Sequence, residues 1–192
     1  MSVVVIVAVV GFLAFRTESS DPQLSAKLLS ANQVPSGWLS ENFQSAQKGT
    51  GCLASAMNPK GVRDSAEENV LYVNDGSVPP EVGEEIATFH DVKGSFRKII
   101  SSLGRCTKIH GDNPGAGIYG SIVPLPLPIY GELSGAVVAS ISDDAVPITL
   151  TDDVIFIEKG KYVVEIFEVN MGAGSVRTQQ FEKYVTKALS KL

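Results

Sequence analysis

The stretch DVIFIEKGKYVVEIFEV, residues 153–169, decides the fold that this sequence predicts. Two runs rich in Val, Ile and Phe, at 153–158 and 161–169, flank the dipeptide Lys159-Gly160. Such runs are typical of β-strands, and Gly160 can adopt the positive φ that a tight hairpin turn requires. The stretch therefore predicts a β-hairpin.

Further elements are predicted on both sides of this hairpin. The other strands, each a short apolar or β-branched run near turn residues, are expected at 38–43, 69–74, 106–110, 117–123, 134–142 and 148–151. An N-terminal helix is expected from Asp21-Pro22, where a capping carboxylate precedes Pro at the first helical position. A C-terminal helix is expected after Ser175, with Phe181 and Val185 on its apolar face.

The strongest helical pattern in the sequence follows Pro79-Pro80. Its apolar residues recur at three- and four-residue steps: Val82, Ile86, Phe89, Phe96, Ile99, Ile100 and Leu103. This pattern predicts a long central helix that Gly94 would bend or split. The sequence as a whole predicts an α+β fold, in which a mainly antiparallel β-sheet is packed by a long central helix and by N- and C-terminal helices.

Composition excludes nucleic acid as a partner. The chain has 192 residues and a formal net charge of −5. Its densest basic stretch, Lys183–Lys191, has the spacing of an ordinary solvated helix face rather than of a concentrated basic footprint. The length and the 44% hydrophobic content are those of one globular domain.

Residues 3–15 form an apolar run without a charge, VVVIVAVVGFLAF. As a helix this run would span about 20 Å, which is short for a hydrocarbon core of about 30 Å and suits a signal peptide. Because no Lys or Arg precedes it and no clean cleavage site follows it, a cleaved signal, an anchor, a truncated anchor and a buried strand all stay open. The expected division is a signal or membrane-anchor segment at 1–16, a linker at 17–23 and an extracytoplasmic domain at 24–192.

The chain contains two cysteines, Cys52 and Cys106. In an exported chain they most simply form one disulfide, which would stabilise the fold by up to about 4 kcal/mol in the chain-entropy model. Two buried free thiols are the alternative that a cytosolic location would favour.

The patterns that suggest catalysis have simpler interpretations. Residues 115–120 match GxGxxG, but the prolines from Pro124 onwards exclude the helix that a dinucleotide site requires. His90 and His110 lack a Ser in a GxSxG elbow, and no Cys-His spacing suits zinc. The sequence therefore predicts no catalytic residue, no metal and no cofactor, and a hydrolase is kept only as a remote alternative.

Two acidic pairs, Asp143-Asp144 and Asp152-Asp153, flank a short predicted strand. Carboxylate oxygens are ligands that Ca²⁺ accepts, but the pairs lack an EF-hand pattern. Asp residues at strand ends are more often turn formers, and this is the interpretation preferred for both pairs.

Residues 124–131, PLPLPIYG, alternate Pro with apolar residues and favour an extended, polyproline-like segment. One interpretation is an edge strand whose prolines prevent further pairing. The other is one wall of an apolar groove, for which Tyr119, Leu125, Leu127 and Tyr130 are the candidate ligand-binding residues.

Four stretches carry a resemblance to a known family: LLSANQVPSGW (28–38), GCLASAM (51–57), SSLGRC (101–106) and IFIEKGKYVVEI (155–166). In this order, and followed by a C-terminal amphipathic helix, they resemble the extracellular sensor domains of the mycobacterial receptor kinase PknH and of related actinobacterial envelope proteins. The resemblance covers nearly all of residues 24–192.

The resemblance implies an extracytoplasmic α+β domain with a ligand-binding cleft and no enzymatic activity of its own. The kinase relative looks to have two disulfides, whereas two cysteines allow only one intramolecular bridge here. No kinase motif is present, so signalling would need a protein partner. We therefore expect a membrane-associated, sensor-like domain that binds a small, partly apolar envelope ligand. The alternative is a structural or protein-interaction component of the cell envelope.

Overall fold

The structure is a computed structural model. The residues that it describes are 22–41, 59, 62, 64–74, 80–110, 118–144, 146–172 and 178–192. The strands are β1 (Leu39–Glu41), β2 (Asp64–Val73), β3 (Glu81–Phe89), β4 (Lys108–His110), β5 (Ile118–Pro124), β6 (Leu133–Asp143), β7 (Val146–Lys159) and β8 (Tyr162–Met171). The helices are α1 (Pro22–Ser25), α2 (Val92–Leu103) and α3 (Thr178–Leu189), with a 3₁₀ turn at Ala31–Gln33.

All these strands lie in one antiparallel sheet in the order β1-β2-β3-β8-β7-β6-β5-β4. The mainly antiparallel sheet that the sequence predicts is therefore confirmed. The predicted hairpin forms its centre: Lys159 pairs with Tyr162, and Gly160 has a φ of 61°. β7 is longer than predicted, because it joins the two expected strands at 148–151 and 153–158 into one.

Side chains alternate between the two faces of the sheet along each strand. Helix α2 covers one face of the central strands, and α1 and α3 cover the other, so both faces are buried there. One face, the α2 face, packs residues such as Phe156 and Phe167 against Phe96 and Ile99 of α2. The other, the α3 face, has its own core of residues from α1, α3 and the strands: Leu24, Leu28, Leu29, Val34, Val70, Tyr72, Val82, Ile86, Ile155, Ile157, Val164, Ile166, Phe181, Tyr184, Val185 and Ala188. Two-sided burial explains why the centre of β7, residues 154–157, is an unbroken apolar run.

The prediction of a long central helix is wrong in its first half. Residues 81–89 form β3, which is hydrogen-bonded between β2 and β8, and the helix extends only over α2. Val82 and Ile86 are four residues apart, a spacing that places side chains on one face of a strand as well as of a helix. Only Gly fits at position 83 of this strand, because Gly83 pairs with Phe167 and a Cβ there would lie 1.8 Å from the Phe167 ring.

Helix α2 begins at Asp91, whose carboxylate accepts a hydrogen bond from the Gly94 backbone N–H at 2.9 Å. This cap satisfies one of the free donors of the first turn. Gly94 therefore lies in the first turn of the helix rather than at a bend in its middle.

Three sequence predictions fall on residues outside the described ranges. The apolar run at 3–15 is one, and within the described part of the chain no helix has the length and apolar character to cross a membrane. Cys52 is another, so its bridge to Cys106 stays a prediction, although Cys106 itself is 3% exposed in the α2-face core. The third is the stretch 111–117, which contains the start of the GxGxxG match.

Candidate functional site

The Pro-Leu segment, residues 124–130, continues the line of β5. Its Leu125 N–H donates to the Ala136 carbonyl at 2.9 Å, and its Tyr130 N–H donates to Ser134 Oγ at 3.0 Å. Leu125, Leu127 and Tyr130 are half-buried against the α3-face core. The structure therefore brings three of the four candidate ligand-binding residues together.

Tyr119, the fourth candidate, lies apart from them. It is 49% exposed on β5, six residues before Leu125, which corresponds to about 20 Å of extended strand. Alternation places Tyr119 on the α3 face, together with Val123, which is 51% exposed. We call Val123, Leu125 and Leu127 the β5 strip. Val123 was not among the candidates, although its spacing of two residues from Leu125 is a signal that the sequence contains.

The β5 strip lies next to helix α3. Burial raises the pKa of Tyr130, and the negative charge of Glu182 on α3 raises it further. Tyr130 therefore faces the helix across the end of the strip. This arrangement forms an apolar surface with a phenol at one end, which suits a partly apolar ligand.

The sequence interpretation missed a set of carboxyl groups inside the sheet. They are buried on four strands: Glu67, Glu81, Glu84, Glu85, Asp152, Asp153, Glu158, Glu165 and Glu168. A charged group rarely enters a protein interior, because burial costs several kcal/mol unless the charge is neutralised or paired. A signal was present in the sequence, since the acids of β3, β7 and β8 lie within or beside runs of apolar, strand-forming residues.

The interpretation of Asp152-Asp153 as strand-end turn formers is wrong. Both residues lie within β7, and alternation sends Asp152 to the α2 face and Asp153 to the α3 face. Neighbours on opposite faces of a sheet cannot hold one Ca²⁺ ion. Among the described residues, no group of His, Cys, Asp and Glu has a metal-binding arrangement. Asp143, by contrast, ends β6 beside its turn.

The two aspartates have raised pKa values for different reasons. Complete burial raises the pKa of Asp152 well above its usual range, and the charges of Glu165, Asp153 and Glu81 raise it further. Burial alone raises the pKa of Asp153 to about 6. Asp153 pairs directly across the strands with Glu168, so two acids face each other on the α3 face.

A third buried acid, Glu84, binds the N-terminal segment where residues from both ends of the domain meet. Its Oε2 accepts a hydrogen bond from the Leu29 N–H, and the Leu29 carbonyl accepts one from the Tyr72 hydroxyl at 3.0 Å. Lys191, near the C-terminus, donates to the Leu28 carbonyl. We call these five residues the terminal clasp.

Opposing effects act on the pKa of Glu84 in the terminal clasp. Burial raises the pKa of Glu84 to about 8, although the Leu29 N–H and the charge of Lys191 act in the opposite direction. Desolvation is thus the larger effect, and Glu84 is mostly protonated at neutral pH. No local sequence pattern connects residues 29, 84 and 191, so only the structure reveals this site.

The remaining motifs do not form a site. His90 is exposed between β3 and α2, beside the capping residue Asp91, and the side chain of His110 lies outside the described part of the structure. Ile118–Gly120, the end of the GxGxxG match, are part of β5 and pair with β6. This match therefore leads into a strand, as the sequence indicates, and not into a phosphate-binding helix.

A comparison with solved structures finds a protein of similar fold. It is the crystal structure of the extracellular domain of PknH from Mycobacterium tuberculosis, which superposes with a TM-score of 0.56 at 10% sequence identity. The similarity covers 91% of this chain and 100% of that domain. At this identity the likeness shows a shared fold. No family model and no curated protein sequence matches this chain.

Proposed function

We propose that this chain is an extracytoplasmic, membrane-associated sensor-like domain that binds a small, partly apolar envelope ligand and performs no catalysis of its own. The observation that carries the proposal is the fold shared with a receptor kinase's extracellular domain over 100% of that domain. The apolar run at 3–15 supports export of the chain.

The proposed ligand site is the β5 strip with Tyr130 at its end. Val123 is 51% exposed, while Leu125 and Leu127 are half-buried, so one continuous apolar surface runs from solvent towards the core. Such a surface would take an acyl or isoprenoid chain, and the Tyr130 hydroxyl would orient a polar head group. Signalling would then depend on a protein partner, because the chain has no kinase motif of its own.

A fluorescent fatty acid, titrated into the purified full chain, tests this site. Leu127→Asp places a charge on the strip and is expected to weaken binding at least tenfold. Leu39→Asp is the matched control, since Leu39 is 60% exposed on β1, at the other edge of the sheet. Equal binding by both variants would reject the strip as the site.

A screen with phospholipids and envelope glycolipids, followed by native mass spectrometry, tests the ligand class. A retained lipid that Leu127→Asp fails to retain supports the proposal. If no lipid binds, while cross-linking in intact cells links the β5 strip to another protein, the structural or protein-interaction role is favoured instead.

A further inference from the structure

Several loops meet at one end of the sheet, which we call the hairpin end. It contains the β7–β8 turn at 159–162, the β3–α2 turn at 89–91 and the loop at 128–132. Two hydrogen bonds join the first and last of these: Gly160 N–H donates to Glu132 Oε1 at 3.1 Å, and Glu132 N–H donates to the Glu158 carbonyl at 2.9 Å. The register places the other turn beside them, because Thr88 pairs with Tyr162.

The N-terminal segment reaches the same end. The ammonium of Lys27 lies 5.4 Å from the centroid of the Tyr162 ring, and helix α1 begins at Pro22. The predicted membrane segment ends at about residue 15, and residues 16–21 can span at most about 20 Å even when fully extended. If residues 3–15 lie in a membrane, helix α1 lies close to it, and Lys27, which follows that helix, contacts the hairpin end at Tyr162.

The chemistry of the hairpin end suits a lipid surface. Ile129 is 80% exposed at the tip of its loop, and Leu133 is 39% exposed just after it. Lys161 is exposed in the β7–β8 turn, and its ammonium lies 5.3 Å from the Tyr162 ring centroid, on a side chain free to extend towards headgroups. An apolar tip flanked by lysines is the pattern of proteins that bind in the interface of anionic bilayers.

The hairpin end and the opposite end of the sheet differ in charge. Although the chain carries a net charge of −5, three lysines lie at the hairpin end: Lys161 and Lys93 are exposed, and the half-buried Lys27 donates to the Lys191 carbonyl at 3.5 Å beside the Tyr162 ring. Two acids lie among them, Asp91 and Glu132, and the Glu132 carboxylate is 3.6 Å from Lys93. At the opposite end the exposed Asp144 lies in the β6–β7 turn. An anionic surface would attract the first end and repel the second.

We propose that the hairpin end is a membrane-docking surface, at which Ile129 inserts among acyl chains and Lys161 contacts the phosphates of anionic lipids. Docking fixes the orientation of the domain, with Tyr119 and Met171 directed away from the bilayer. It also points the Tyr130 end of the ligand site towards the membrane. The docking surface goes beyond the proposed function and is tested independently of ligand binding.

Depth-dependent fluorescence quenching in vesicles tests the proposal. Trp38 is the only Trp of the chain, so a Trp38→Phe background carrying either Ile129→Trp or Met171→Trp reports on one end at a time. Met171 is the matched control, because it is an apolar residue 51% exposed at the opposite end. The full chain is reconstituted in phosphatidylcholine vesicles with phosphatidylglycerol and spin-labelled lipid.

The expected result is at least twofold stronger lipid quenching of the tryptophan at 129 than of that at 171. Lys161→Glu should reduce this quenching at least twofold, whereas Lys108→Glu, on the edge strand β4, should leave it unchanged. Equal quenching at both ends would overturn the proposal. So would a tryptophan at 129 that is shielded only at high protein concentration, since that outcome indicates a second copy on this surface.

Hydrogen exchange of the unmodified chain tests docking without any substitution. The loop at 128–132 should exchange at least threefold more slowly on anionic vesicles than on neutral ones. The β6–β7 turn at 143–146 should exchange at the same rate on both. Unchanged exchange in the loop would contradict docking.

Discussion

Glu84 and Asp153 are both buried acids on the α3 face, but their surroundings differ. Glu84 accepts a hydrogen bond from the Leu29 N–H and lies near Lys191, whereas neither carboxyl oxygen of Asp153 has a hydrogen-bond partner within the described part of the chain. Even so, the pKa of Glu84 is the higher one, about 8 against about 6. Burial is the main cause of the raised pKa in both groups and outweighs the partners of Glu84, while the partners decide whether the group joins parts of the fold.

The largest expected effect is a loss of stability as the pH rises. The pKa of each acid is higher in the folded protein than its model value, 4.5 for Glu84 and 3.8 for Asp153, so the folded state binds protons more tightly than the unfolded state. Their contribution is complete at low pH and is lost between about pH 4 and 6 for Asp153, and between about 4.5 and 8 for Glu84. Each group contributes a slope of up to about 1.4 kcal/mol per pH unit.

Urea denaturation at constant ionic strength from pH 5 to pH 9 measures this effect. Glu84→Gln keeps an oxygen that can accept the Leu29 N–H but cannot titrate, so it should flatten the profile between pH 6 and pH 8. Asp153→Asn should flatten only the part below about pH 6. A stability that rises with pH, or a Glu84→Gln profile parallel to that of the unmodified chain, would show that the acids are paired in the folded state.

A second prediction concerns the partners themselves. At pH 5, where both acids are mostly protonated, Glu84→Leu leaves the buried Leu29 N–H without its acceptor and should lower the free energy of unfolding by about 1–3 kcal/mol. Asp153→Leu removes a polar group that makes no hydrogen bond among the described residues, and should be neutral or stabilising. Denaturation midpoints at this single pH compare the two. Equal losses would mean that Asp153 also has a structural partner.

The sequence predicts those parts of the fold that local patterns determine. The β7–β8 hairpin was predicted because β-branched runs flank a glycine turn, and the C-terminal helix because its apolar face recurs at helical spacing. The sequence favours a helix at β3 because spacing by four fits both periods, and because the pairing of β3 with β8 joins distant segments. Only pairing with other strands decides whether such a segment forms a helix or a strand.

The functional residues also separate into those that a local pattern predicts and those that only the fold brings together. The sequence predicts Leu125 and Leu127 together because alternation within one short segment keeps them on one surface, and Tyr130 joins them only through its nearness in the sequence. The clasp was not predicted, because a Glu in a sequence normally indicates exposure and its partners lie at the two ends of the chain. Burial of a carboxyl group is a property of the folded sheet and leaves only an indirect trace in the sequence.

The smallest expected effect comes from the cation of the clasp. Lys191 donates to the Leu28 carbonyl, lies 3.2 Å from Ser30 Oγ and lowers the pKa of Glu84. Lys191→Met should therefore cost about 0.5–1.5 kcal/mol at pH 5 through the lost hydrogen bond. It should also move the upper limit of the pH-dependent range to higher pH, because Glu84 then keeps its proton longer.

Lys187→Met is the matched control for this shift. Lys187, on the C-terminal helix, donates to a backbone carbonyl of the N-terminal segment, that of Gln33, whereas the cation that lowers the pKa of Glu84 is Lys191. Replacement of Lys187 should cost a similar free energy without moving the pH profile. If both variants shift the profile equally, the effect is one of general surface charge. If Lys191→Met alone shifts the profile, Glu84 and Lys191 interact directly where the N-terminal segment meets the residues after α3.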